Sequence, residues 1–153
     1  MANLLRPIFE HIQGDKSPLL LESNLVYKTI SVLIHGAKLF YECGTRLWKF
    51  KGSEQAAAKE VFIGNLRLLE GELGDKKYFA GDAFGFVEIA IVPFGRWFYS
   101  YMTCAGFSIE EAAPNLVAWG KRCMERESVT KALCDPHNVY ELVSILRKRD
   151  GVE

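Results

Sequence analysis

Cysteine and histidine, the residues that most often bind metals or act as nucleophiles, are widely spaced in this chain. The four cysteines and three histidines form no CxxC pair and no paired-histidine spacing. The sequence contains no glycine-rich phosphate loop, GxSxG elbow or HExxH motif. We therefore expect no bound metal, and we expect reduced thiols in a cytoplasmic protein. The residues concerned are Cys43, Cys104, Cys123, Cys134, His11, His35 and His137.

Glu88 is a further candidate, because it lies in the most apolar stretch of the chain. Between Phe84 and Phe107 only Glu88 and Arg96 are charged. Gly85 is predicted to be a helix N-cap, and a carboxylate three residues later can accept hydrogen bonds from first-turn N–H groups. This favours a structural role for Glu88, as a buried carboxylate satisfied by helix amides.

Residues 84–102 are predicted to form the central helix of the fold. Apolar residues fall at nearly every angle of a helical projection, which is typical of a membrane span or of a buried core helix. Glu88, Pro93 and Arg96 interrupt the stretch before it reaches the ~20 residues that a bilayer requires. We therefore expect a buried helix surrounded by the others and kinked at Pro93.

Composition indicates one ordinary soluble domain, or one domain with a small appendage. The chain has 153 residues, of which 49% are hydrophobic and 25% charged. Nineteen basic and nineteen acidic residues cancel, which argues against a nucleic-acid partner or an acidic membrane surface. The first residues contain no long apolar segment, so we expect no signal peptide.

The periodicity of the chain changes near residue 37. Before it, strands are predicted at 9–13 and 29–35, with a short helix at 16–22; this unit has too few strands to stand alone. After it the period is helical, with Ser53 and Gly74 expected to cap the second long helix. Helices are predicted at 38–50, 53–73, 84–102, one turn from 108, a helix from 114, 128–133 and 137–149.

Several segments together resemble plant tau-class glutathione transferases. These are KSPLLLESNLVYKTISVLIH, GSEQAAAKEVFIGNLRLLEGELGDKKYFAGDAFGFVEIAIVPF, AWGKRCMERESV and VYELV. The resemblance implies a mainly α fold, in which residues 38–153 form the all-helical C-terminal domain of that family. Residues 1–37 would be a truncated β-α-β remnant of its thioredoxin-like N-terminal domain. It also implies conjugation of glutathione to hydrophobic electrophiles, and a homodimer.

The resemblance implies that Lys16, Ile30 and Val32 bind glutathione, but this site departs from the family pattern. Ser31 stands where the family has a cis-proline, and the cis form costs ~3 kcal/mol for other residues. Thr29 stands where it has a second lysine. The family's thiolate-stabilising serine and its Glu-Ser pair have no counterpart that we can assign. The catalytic residue is therefore unknown, and we expect a weakened or rebuilt glutathione site.

The hydrophobic-substrate side matches the family better. Seven positions fall where the family lines its acceptor pocket, and Thr45 replaces the arginine usual there. They are Tyr41, Thr45, Trp48, Trp97, Leu142, Leu146 and Arg149.

Activation of glutathione requires another group if the serine is absent. A free thiol has a pKa of ~8.5, so only a few per cent is thiolate at pH 7. Tyr41, Tyr101 or Ser31 could donate a hydrogen bond, and Arg46 or Arg96 could supply charge. Aromatic residues at helical spacing are more often core, and arginines more often form surface or structural pairs.

Three functional hypotheses remain open from the sequence. The first is a shortened transferase with a rebuilt glutathione site. The second is a non-catalytic protein that binds hydrophobic small molecules in an aromatic pocket. The third is a helical module used for dimerisation or for another protein contact, with apolar surface exposed near residue 38.

Overall fold

The computed structural model describes residues 40–152. The mainly α fold class is confirmed in this range, which contains helices and, as its only bridge between extended residues, the pair Tyr78 and Gly81. The predicted strand–helix–strand unit and the domain boundary at 37/38 lie outside the described residues. None of the helices in 40–152 is both long and apolar enough to cross a membrane.

The described helices follow one another with short connections. The first, α1, covers residues 40–49. The others are α2 (Gly52–Leu73), α3 (Phe86–Ile91), a 3₁₀ segment (Val92–Trp97), α4 (Phe98–Ala105), α5 (Ile109–Ala112), α6 (Pro114–Met124), α7 (Glu127–Ala132) and α8 (Pro136–Arg149).

Helix α3, the 3₁₀ segment and α4 run on without a break and form what we call the central rod, residues 86–105. Pro93 lies in the first turn of the 3₁₀ segment, so the predicted kink takes the form of a change in helix type. The expectation that the rod is buried on every side is wrong at its start. Phe86 and Ile89 are 67% and 61% exposed.

The hydrophobic core is centred on Phe62 of α2, which is fully buried. Its ring makes edge-to-face contacts with Phe40, Tyr101 and Phe107, at centroid separations of 5.2, 5.3 and 5.9 Å. Such pairs add about 0.5–1.5 kcal/mol each beyond the burial of their area. The long helix α2 is thereby attached to α1 and to the rod.

Two helix termini agree with the prediction, one at a glycine and one at a serine. Gly74, with φ 51°, follows α2 and donates its N–H to the carbonyl of Glu70 at 2.9 Å. Ser108 accepts a hydrogen bond from the backbone N–H of Glu111 at the start of α5. The prediction that Ser53 caps α2 is wrong, because the cap residue is Lys51 and makes no side-chain capping bond.

The structural role predicted for Glu88 is confirmed. Its side chain is fully buried. One carboxylate oxygen accepts the N–H of Gly85 at 2.9 Å, and the other accepts the N–H of Phe79 at 2.8 Å. One oxygen therefore satisfies a backbone donor at the start of the rod, and the other satisfies one in the loop that follows α2.

Candidate functional site

The structure describes the side of the candidate site predicted to bind the hydrophobic substrate. Lys16, Ile30 and Val32, predicted to bind glutathione, lie outside the described residues, as do Thr29 and Ser31. The acceptor residues lie on three elements: α1, the central rod and α8.

Three of the predicted acceptor residues follow one side of α1 at i, i+4 and i+7 spacing. The ring of Tyr41 is 68% exposed, whereas Trp48 is 7% exposed and belongs to the core. Thr45, between them, donates its hydroxyl to the carbonyl of Tyr41 at 2.7 Å. Tyr41 thus offers an accessible aromatic surface, and Trp48 is mainly part of the packing beneath it.

Trp97 is connected to α1 by its contact with Tyr101. Their rings are stacked, with centroids 6.2 Å apart. Tyr101 in turn lies directly against α1, because a Cβ placed on Gly44 would be only 2.4 Å from its ring and hydroxyl. Glycine at position 44 therefore permits α1 and the rod to approach closely.

The phenol of Tyr101 is neutral at physiological pH. Burial and, to a smaller extent, the neighbouring Tyr41 raise the pKa of Tyr101 well above its ordinary value. A neutral phenol can donate a hydrogen bond to a thiolate but cannot act as a base at pH 7. Because only 3% of Tyr101 is exposed, its contact with a substrate stays a prediction.

Helix α8 packs against the 3₁₀ segment and α4, and carries the last three predicted acceptor residues. Leu142 is 47% exposed, and Leu146 is half-buried. Arg149 is exposed and donates to the carboxylate of Asp150 at 2.9 Å. Asp150 also lies 3.7 Å from the ammonium of Lys49 on α1.

Arg147 is an anchoring residue that sequence reasoning missed. It is buried, and its Nη1 donates to the carbonyl oxygen of Trp48 at 3.0 Å, which attaches the end of α1 to α8. A signal for it exists: Val139, Val143 and Arg147 follow one stripe at intervals of four residues, and the first two are also buried.

The two arginines considered for thiolate stabilisation have other neighbours. The guanidinium of Arg46 lies 5.6 Å from the ring centroid of Phe50. Nη2 of Arg96 lies 2.8 Å from the sulfur of Met124, so it faces α6 and not α1. Neither contact brings a guanidinium to the Trp97–Tyr101 pair.

Thiol chemistry differs among the four cysteines, none of which forms a disulfide. Burial raises the pKa of Cys43, partly offset by Arg46. Burial, and then the charge of Glu88, raise the pKa of Cys123 to about 12. Neither is a nucleophile near neutral pH. Cys134 is exposed, and no three potential metal ligands cluster anywhere in 40–152.

The described helices thus form a domain with an aromatic surface between α1 and the central rod. Comparisons with known proteins show the family to which it belongs. The family model described as the glutathione S-transferase C-terminal domain matches residues 30–127. The chain belongs to the glutathione S-transferase family, and its plant relatives confirm the tau-class resemblance.

Individual relatives agree over most of the chain. The probable glutathione S-transferase parA of Nicotiana tabacum is 43% identical, with 91% of this chain and 82% of that protein covered. Glutathione S-transferase U19 of Arabidopsis thaliana is 40% identical, with 92% and 85% covered. The rice GST1 (OsGSTU1) crystal structure in complex with glutathione has a TM-score of 0.72 and 42% identity, covering 86% of this chain.

The chain is nevertheless shorter than these relatives within the aligned region. It spans 61% of the rice chain. The tobacco alignment runs over 181 positions, whereas 91% of 153 residues is about 139, so about 42 aligned positions have no residue here. Features of the whole relative therefore do not transfer automatically to this chain.

Proposed function

We propose that this protein conjugates glutathione to hydrophobic electrophiles, with the acceptor held between α1, the rod and α8. The observation that carries the proposal is the stacked pair Trp97 and Tyr101, packed against Gly44 with the exposed ring of Tyr41 nearby. Aromatic walls with few polar groups suit planar hydrophobic substrates. The relatives are named as glutathione S-transferases, and the rice structure contains glutathione, which supports the same co-substrate here.

The decisive experiment is conjugation of 1-chloro-2,4-dinitrobenzene at rising glutathione concentration. We expect saturable turnover, and Tyr41→Ala should raise the KM for the electrophile by about 3–10-fold with little change in the KM for glutathione. Phe86→Ala is the matched control, because Phe86 is as exposed as Tyr41 but lies at the start of the rod. A rate equal to the uncatalysed reaction would refute the transferase function.

The glutathione side of the proposal consists of Lys16, Ile30 and Val32, within an N-terminal unit of residues 1–37 that precedes the helical domain at 38–153. The ammonium of Lys16 would face a glutathione carboxylate, so it would contribute to the binding of glutathione and not to that of the electrophile. Lys16→Met should therefore raise the KM for glutathione and leave that for the electrophile unchanged. A raised KM for the electrophile with an unchanged KM for glutathione would show that Lys16 does not bind glutathione.

A non-catalytic binding protein is the second candidate, favoured by exposed apolar side chains on α8. Leu142 and Ile145 are 47% and 64% exposed. This alternative predicts binding of a hydrophobic dye that glutathione does not alter. Competition by glutathione would favour the transferase.

We also propose a cytoplasmic homodimer. On α2, Val61 and Leu68 are 50% and 72% exposed and lie two turns apart, with the exposed Gly64 between them. An apolar stripe of this kind is typical of protein–protein contacts. Light scattering should give twice the chain mass for the wild type and a monomer for Leu68→Asp; a wild-type monomer at all concentrations would contradict the proposal.

A further inference from the structure

A contact between the rod and α6 pairs a cation with a thioether. Nη2 of Arg96 donates to the sulfur of Met124 at 2.8 Å, and a thioether is a weak acceptor. The Nε–H of the same guanidinium is buried and has no acceptor within residues 40–152. No carboxylate in that range forms an ion pair with Arg96. Buried donors are normally paired, so this guanidinium lacks a strong acceptor.

The Met124 sulfur can be reached by a small reagent. Met124 is half-buried and lines a cavity of about 520 Å³ between the rod, α5 and α6. The exposed residues Glu110 and Lys121 also line this cavity, so it opens to the surface. A cavity of this size admits a molecule as small as hydrogen peroxide.

Met102 of the rod is a natural comparison within the same cavity. It is also half-buried and also lines the cavity. Its sulfur, however, accepts the backbone N–H of Ile109 at 3.5 Å. The two thioethers therefore differ chiefly in their neighbour, which is a neutral amide for Met102 and a guanidinium for Met124.

We propose that Met124 is a site of reversible oxidation to methionine sulfoxide by hydrogen peroxide, and that Arg96 binds the sulfoxide oxygen. A lone pair of the sulfur attacks one peroxide oxygen, so an S–O bond forms and the O–O bond breaks. The second oxygen takes the proton of the first and leaves as water. The sulfur is oxidised by two electrons and the peroxide is reduced by two. Arg96 stays protonated and donates a hydrogen bond to the departing oxygen, on which negative charge develops.

The oxidised side chain suits this contact better than the thioether does. A sulfoxide is polar and normally disrupts apolar packing. Beside Arg96 its oxygen meets a charged donor, and charge-assisted hydrogen bonds are roughly twice as strong as neutral ones. Oxidation of Met124 therefore strengthens the attachment of α6 to the rod. This modification does not depend on glutathione conjugation.

The position of oxidation is tested by treating the whole protein with hydrogen peroxide at neutral pH. Met102 and Met124 fall in different tryptic peptides, so mass spectrometry can follow the gain of one oxygen atom at each. We expect Met124 to be oxidised at least about fivefold faster than Met102, and Arg96→Leu to abolish this preference. Equal rates in the wild type, or an unchanged preference in Arg96→Leu, would overturn the proposal.

The effect on stability is tested by thermal melts before and after oxidation. Met102→Leu is introduced throughout, so that Met124 is the cavity's remaining thioether. We expect oxidation to lower the Tm by less than about 1 °C when Arg96 is present and by at least about 4 °C in Arg96→Leu. Met124→Leu, treated in the same way, measures any change caused by cysteine oxidation. An equal fall with and without Arg96 would show that Arg96 does not bind the sulfoxide.

The stereochemistry of the product tests the proposal in the wild type alone. A sulfoxide sulfur is chiral, and each class of methionine sulfoxide reductase acts on one epimer. Only one epimer directs its oxygen toward Nη2 of Arg96. After digestion of the oxidised protein, we expect one reductase class to reduce most of the Met124 sulfoxide and the other class little of it. Equal reduction by both classes would contradict binding of the oxygen by Arg96.

Discussion

The carboxylate of Glu88 accepts the backbone N–H of Phe79, nine residues earlier in the chain, at 2.8 Å. The same carboxylate accepts the N–H of Gly85, so a single buried side chain fixes the loop after α2 onto the first turn of the rod. Phe79 then packs edge-to-face on Trp119 of α6, at 5.4 Å between centroids. The start of the rod is thus linked to α6 through one residue.

Replacing Glu88 with glutamine should destabilise the fold. The amide retains one acceptor oxygen but turns an NH₂ group toward the second backbone donor, which is then buried and unpaired. We expect the free energy of unfolding, measured by urea denaturation, to fall by about 1–3 kcal/mol. Glu72→Gln on the surface of α2 is the control and should change it by less than about 0.5 kcal/mol. Equal stability of both variants would contradict the capping role.

Glu70 of α2 supplies the cap that α6 lacks in its own sequence. Its two carboxylate oxygens accept the N–H groups of Asn115 and Leu116, both at 2.8 Å, whereas the cap residue Ala113 has no polar side chain. Glu70→Ala should therefore lower the free energy of unfolding by about 1–2 kcal/mol. Glu72→Ala, two residues away, serves as the comparison in thermal melts. Equal melting temperatures for Glu70→Ala and Glu72→Ala would disprove the capping of α6 by Glu70.

Gly44 should not tolerate even one added methyl group. A Cβ at this position would lie 2.4 Å from the Tyr101 ring, so Gly44→Ala must displace α1 or the ring, at a cost of about 1–3 kcal/mol. Gly71→Ala adds the same group where no atom lies within 4 Å, and should raise stability by about 0.5–1 kcal/mol. Chemical denaturation of the pair measures the difference. We expect the two substitutions to change the free energy of unfolding in opposite directions. A change in the same direction would be evidence against the close approach of α1 and the rod.

Cys123 should make stability fall in alkaline solution. Its pKa is raised to about 12 in the folded protein, chiefly by burial, so the folded state holds the proton more tightly than the unfolded state, whose thiol titrates near 9.0. This contribution is complete below pH 9 and is lost as the pH rises toward 12. Between pH 8 and 10.5, the wild type should lose stability more steeply than Cys123→Ala. An equal loss of stability in the wild type and in Cys123→Ala over this pH range would show that the pKa of Cys123 is not raised.

Features that depend on a few neighbouring residues could be predicted from the sequence. The Glu88 capping of Gly85 and the glycine after α2 are local, and both were found as expected. The start of α2 was missed: the helix begins at Gly52, which takes φ 65°, and Lys51 is its cap residue, so Ser53 already lies inside the first turn. A residue's conformational freedom does not reveal which conformation it takes.

Which side of an apolar helix is buried depends on its neighbours. Val61 and Leu68 are as apolar as Phe62 and Leu69, yet the first pair is exposed and the second buried. The contact of Gly44 with the Tyr101 ring, and the cavity between the rod and α6, arise from helices distant in sequence. Periodicity carries no information on such spacing, so neither could be predicted.

The hydrogen bond from Arg147 to the carbonyl of Trp48 joins residues 99 positions apart. During synthesis on the ribosome, this bond can form only after α8 has emerged. The end of α1, next to the aromatic surface proposed for substrates, therefore receives this anchor only after the rest of the described helices have been made. A nascent chain halted before α8 should consequently leave α1 open to proteases that the finished protein resists.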